Sequence, residues 1–119
     1  MVSPKYKTLF ENLISKTQEG KVDWQRTSQL GRFQLLLGDQ TISVYSSVDE
    51  NPDFWKIDLG PKAEFTISDK SGKEIDSVRS FNVGDSVYNE LQPLYQVAKS
   101  SAKNIDDTID NLINSLEDL

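Results

Sequence analysis

The run Asp49-Glu50-Asn51-Pro52-Asp53 sets three oxygen-bearing side chains at alternate positions, as a calcium loop does at its start. Such a loop also needs glycine at its sixth position and a bidentate glutamate at its twelfth, and here those places hold Phe54 and Gly60. A polar connecting loop explains the run better. Gly72-Lys73 has the end of a phosphate-binding loop, but Ile67 stands where the first glycine belongs and Glu74 replaces the hydroxyl that would hold magnesium. Asp58, Glu64, Asp69, Glu74 and Asp76 could supply paired acids for glycoside or proton-transfer chemistry if burial separated their pKa values. Each lies in a polar, turn-rich stretch, where a solvated surface is the simpler account. Ser100-Ser101-Ala102-Lys103 matches a bare Ser-x-x-Lys spacing without the supporting motifs of a serine nucleophile.

The chain has no histidine and no cysteine. It therefore lacks the commonest general base near neutral pH, thiolate nucleophiles, disulfides and cysteine-based zinc sites. No cofactor or metal is expected, and the balance leans against an enzyme. The remaining asymmetry is electrostatic. From Asn104 to Leu119 the chain holds Asp106, Asp107, Asp110, Glu117 and Asp118 and no Lys or Arg, a balance of −5. The other 103 residues carry 13 basic and 14 acidic side chains, so −1 and −5 make the net −6. The tail also spaces Ile105, Ile109, Leu112, Ile113, Leu116 and Leu119 as one narrow helical stripe.

Those side chains need elements to hold them. Ser3-Pro4 is an N-cap and first-turn pair, and Tyr6, Leu9, Phe10, Leu13 and Ile14 follow at helical spacing, predicting a helix from Pro4 to Gln18 closed by Gly20. The period then becomes two: Val22 and Trp24; Phe33, Leu35 and Leu37; Ile42 and Val44; Trp55, Ile57 and Leu59; Phe65 and Ile67; Ile75 to Val78. Gly38-Asp39 and Asp69 to Gly72 are turn signals. Four or five short strands close in sequence predict an antiparallel meander, with Gln34, Ser43, Lys56, Glu64, Thr66 and Ser68 on its wet face. Val87, Leu91, Leu94, Tyr95, Ala98 and Ala102 fit a second helix, delayed to about Asn89–Gln92 if Pro93 is to lie in its first turn. Asn104 is a candidate N-cap for a third, with Asp106 and Asp107 in its positive first turn.

The expected fold is a single α+β domain over residues 1–119: an N-terminal helix, a four- or five-stranded antiparallel sheet, and two C-terminal helices packed on one face. Of the aromatic residues, Trp24, Phe33, Tyr45 and Phe65 suit a core, whereas adjacent Phe54 and Trp55 must point to opposite faces of a strand. That pair is the best aromatic candidate for a contact site. The acidic tail has three readings: packing on the sheet with its acids in water, an interaction helix, or a DNA-mimicking surface. Mimicry ranks last because five acids on one helix cover too little area.

Thr17, Gly20-Lys21 and Trp24, then Asp69 with Gly72-Lys73-Glu74-Ile75, then Leu91, Leu94-Tyr95, Ala98 and Ala102 before Asp106-Asp107 form a connected series. The series resembles a loose group of short bacterial α+β proteins with a helix, a small sheet and two closing helices. The resemblance covers most of the chain and implies the element order and a bacterial cytosolic setting; its motifs are structural, so it implies no activity or site residue. The start Met1-Val2-Ser3-Pro4-Lys5 is not a signal peptide, and no apolar run approaches the roughly 20 residues that span a bilayer. A cytoplasmic protein is expected. Its expected function is that of a small non-enzymatic interaction or regulatory module using the acidic C-terminal helix, with Asp106, Asp107, Asp110, Phe54 and Trp55 as contact residues. The partner is a protein, either a basic one or a second copy. Nucleic acid and membrane are not expected, because the acidic balance lacks a basic stripe. The alternative is a small-ligand binder or carboxylate enzyme on the exposed sheet face.

Overall fold

The computed structural model describes residues 2–47 and 60–119. The chain opens with α1 (Pro4–Gln18), capped by Ser3, whose hydroxyl accepts the Tyr6 N–H. Among the described residues five strands follow: β1 (Gln25–Arg26), β2 (Arg32–Leu37), β3 (Gln40–Ser46), β4 (Ala63–Ser68) and β5 (Glu74–Ser80). All neighbours pair antiparallel in the order β1-β2-β3-β4-β5, the expected meander. The calcium-like run Asp49–Asp53, the alternating Trp55, Ile57 and Leu59, and Lys56 and Asp58 lie outside the described residues, as do Phe54 and Trp55.

One sheet face is apolar. Phe33, Val44, Phe65 and Val78 form one row across four strands, and Leu35, Ile42 and Ile67 form the next. Phe10 of α1 packs edge-on against Phe65 at 4.9 Å between ring centres, and Tyr95 packs on Phe33 at 5.6 Å. At the sheet's far edge the Tyr6 hydroxyl donates to the Asp76 carboxylate. Burial and that carboxylate push the Tyr6 phenol up to about 12, while the same hydrogen bond holds Asp76 below its ordinary value.

Two expectations need correction. The Val22/Trp24 alternation does not continue as a strand, and β1 is only two residues long. Trp24 instead turns inward and is completely buried. Its indole N–H donates to Thr17 Oγ1 at 2.9 Å, and that hydroxyl donates to the Leu13 carbonyl at 2.6 Å. Its backbone N–H donates to Ser101 Oγ at 3.0 Å. The second correction concerns the C-terminal half, which holds one helix rather than two: α2 (Ser86–Glu117), 32 residues long. Asp85 caps it, accepting the Tyr88 N–H at 2.8 Å, so it starts ahead of the place Pro93 suggested. Pro93 falls in the second turn on the exposed side, where it removes one ladder bond without reaching the core. Asn104 is not a cap. No glycine or proline follows Pro93 within α2, propagation costs little once a helix has nucleated, and the Asn104 carbonyl accepts Thr108 Oγ1 inside the helix.

Gly31 marks the other tight place. Its φ is +80°, and a Cβ there would lie 2.6 Å from the Ser46 carbonyl oxygen. Ser46 N–H in turn donates to the Gly31 carbonyl at 3.1 Å, closing the β2–β3 ladder.

Thr17→Val should leave α1 intact but orphan the buried indole N–H, lowering stability in urea unfolding by about 1–3 kcal/mol. Trp24→Ala, which also empties the space between the helices, should cost about 3–5 kcal/mol. Equal losses for the two variants would contradict the view that ring packing adds to the hydrogen bond.

Candidate functional site: an open sheet face and a helical arm

The sheet face turned away from the helices carries Gln34, Ser43 and Thr66 in one row and Arg32, Tyr45, Glu64 and Arg79 in the next. Gln34 is exposed, but Tyr45, Glu64 and Thr66 are buried. Glu64 is the centre of this face. Its carboxylate accepts Arg32 Nη2 at 2.7 Å, Arg79 Nε at 2.6 Å and Thr66 Oγ1 at 3.1 Å. Arg79 Nη2 reaches Glu74 at 2.6 Å; Arg32 Nη1 donates to Ser43 Oγ at 2.8 Å, and its guanidinium stands 5.3 Å over the Tyr45 ring. Burial alone would raise the Glu64 carboxyl, but the two arginine hydrogen bonds outweigh it and hold it below the ordinary glutamate value. A general acid needs the opposite shift.

The other acids considered for catalysis have local roles. Asp69 Oδ1 accepts Ser71 N–H at 2.9 Å, Ser71 Oγ at 2.6 Å and Lys73 N–H at 3.0 Å, organising the β4–β5 turn in which Gly72-Lys73 lies. Asp76 is engaged by Tyr6, and Asp58 lies outside the described residues. Ser100 and Lys103 are exposed along α2. Among the described residues no group of three acids is placed to hold a metal ion, and no helix is long and apolar enough to cross a membrane. A cleft of about 250 Å³ lies between the β1–β2 connection and α2, lined by Arg26, Leu30, Arg32, Phe33 and Lys99 among others. Ligand pockets usually enclose about 300–1,000 Å³, so it is small for one.

The tail behaves differently from the first expectation. The proximal stripe of α2 (Tyr88, Leu91, Tyr95, Ala98 and Ala102) is buried against α1 and the sheet. Because the helix is continuous, the same stripe runs on through Ile105, Ile109, Leu112 and Leu116, at alternating steps of four and three residues, and Leu119 lies past the helix end at Glu117. Beyond Ile105, which is half-buried, it leaves the body. Ile109, Leu112, Ile113 and Leu116 are 49%, 61%, 48% and 69% exposed. The packing of this segment on the sheet, expected above, therefore does not occur. A 32-residue helix is about 48 Å long. The radius of gyration is 15.7 Å, against about 13.5 Å for a compact domain of 119 residues.

The acids named from sequence fall on different sides of this arm. Asp106 pairs with Arg26 of β1 and so ties the base of the arm to the body. At 100° per residue, Asp110 and Glu117 flank the stripe on one side, while Asp107 and Asp118 lie opposite it. The other flank, formed by Ser101, Thr108 and Ser115, is uncharged. Sequence reasoning missed the Arg32–Glu64–Arg79 cluster; its signal was Arg32, Glu64 and Arg79 at matching positions of three strands, which needs the register to be seen. Comparison with known proteins brings no match to a family model, a curated protein or a solved structure. The fold and surface define an α+β domain with a projecting amphipathic helical arm.

Glu64 has a depressed folded pKa, so its contribution to stability is complete above about pH 4.3 and is lost as pH falls through the folded value. Urea midpoints measured from pH 7 down to pH 3 should fall less steeply for Glu64→Gln than for the parent. At pH 7, Glu64→Ala should cost about 2 kcal/mol, less than the roughly 3–5 of a fully buried pair, since Arg79 keeps contact with water.

Proposed function

We propose that this protein is a non-enzymatic protein–protein interaction module whose docking element is the distal half of α2. The observation that carries the reading is the exposed run Ile109, Leu112, Ile113 and Leu116 on a helix whose proximal stripe is already core. Water-facing helices normally show apolar residues singly, whereas a contiguous apolar patch marks an interaction surface. An amphipathic helix offers its partner anchors one helical turn apart, as this one does. The acids refine specificity, and of those named from sequence Asp110 is the best placed to do so, because Asp106 is engaged with Arg26 and Asp107 lies opposite the stripe.

The alternative, a small-ligand site on the sheet face, finds less support. Among the described residues of that face, the Glu64 carboxylate at its centre is neutralised internally by Arg32 and Arg79.

Affinity capture from a bacterial lysate tests the proposal. Immobilised parent protein should retain a specific protein, and Leu112→Asp/Leu116→Asp should lose it with the body still folded by circular dichroism. Asp107→Asn should retain it. A partner held equally by the parent and the double variant would remove the arm from the interaction.

A further inference from the structure

We infer that the cleft between the β1–β2 connection and α2 binds a small organic acid, a carboxylate carried on an apolar body. This site does not depend on the docking role of the arm. In a chain of net charge −6, the residues lining the cleft include Arg26, Arg32 and Lys99 and no acid. Arg32 takes no part, because Gln29, Ser43 and Glu64 occupy its Nε, Nη1 and Nη2. Arg26 is placed differently. It stands opposite Phe33 in the β1–β2 register, so both side chains project on the helix side of the sheet, where α2 supplies Lys99.

A backbone donor completes the set. Gly31 is buried, and its carbonyl accepts the Ser46 N–H at 3.1 Å. Its own N–H has no hydrogen-bond partner among the described residues. Buried amide donors are almost always satisfied, so an orphan in the wall of a cleft calls for an acceptor oxygen. A carboxylate supplies that oxygen together with the charge that Arg26 and Lys99 favour. Asp106 already engages Arg26 through Nε, but both side chains of that pair are about half in water, where an ion pair contributes little. A ligand that displaces Asp106 therefore loses little. Phe33 and the exposed Leu30 give the wall its apolar share, which favours a hydrocarbon or aromatic body over a bare inorganic anion. At about 250 Å³ the cleft suits a small acid rather than a drug-sized ligand.

Benzoate is the probe, titrated into the full chain at constant ionic strength with chloride as the balancing anion, and followed by amide and arginine side-chain NMR. The Gly31 amide and the Arg26 Nε–H should shift together and saturate in the millimolar range. Arg26→Gln and Lys99→Gln should each weaken binding roughly tenfold. Asp106→Asn removes the competing carboxylate and should tighten binding roughly threefold, a gain that a misfolded variant does not give. Phosphate should shift the same signals with weaker affinity. A Gly31 amide that does not saturate, binding unchanged by Arg26→Gln, or an Asp106→Asn protein that binds no more tightly would overturn the inference. Phosphate binding as tightly as benzoate would overturn the organic-acid assignment.

Discussion

The structure depends on Trp24 more than on any other side chain. Its ring is completely buried, its indole N–H is satisfied by Thr17 on α1, and its backbone N–H by Ser101 on α2. Three parts of the chain are thereby held at one point, immediately ahead of the first strand. A tryptophan buries a large apolar area but carries a donor that must find a partner, so it fixes orientation as well as proximity. Because Ser101 sits just before the stripe of α2 leaves the body, the same contact sets where the arm emerges and in which direction the stripe faces. Arg26, two residues after Trp24, then holds Asp106 at the base of the arm.

The open sheet face shows how the fold spends its charge. Antiparallel sheets commonly leave one face wet, yet here Glu64, Thr66 and Tyr45 are buried on that face. The carboxylate between two guanidiniums replaces the solvent it loses, and the guanidinium of Arg32 covers the Tyr45 ring. Such a cluster fixes the relative register of β2, β4 and β5, since a shift by one residue would turn Glu64 onto the apolar face. The groups with the most chemical potential are thereby engaged with one another.

The arm follows a different economy. The 15 helical residues from Lys103 to Glu117 are marginal on their own in water, and their stability rises when the apolar side is covered. Continuity with a buried, well-capped helix supplies the nucleus that the arm by itself lacks.

The sequence by itself determined the local elements whose signals are short-range. Ser3-Pro4 sets the start of α1, the alternation of Phe33 to Leu37 and Ile42 to Val44 around Gly38-Asp39 makes a hairpin, and the tail reads as an amphipathic acidic helix. Each rests on spacing within a few residues, so it was legible before any contact was known. Asn104 misled because an N-cap residue is also tolerated inside a helix, and only the uninterrupted backbone from Ser86 decides between a cap and a passage. Tertiary structure alone decided that Trp24 leaves the strand pattern, that Arg32, Glu64 and Arg79 meet across three strands, and that the apolar stripe is covered up to Ala102, half-covered at Ile105 and exposed from Ile109. An apolar stripe carries no mark of what it faces: periodicity is a property of one helix, whereas burial is a property of whatever lies beside it.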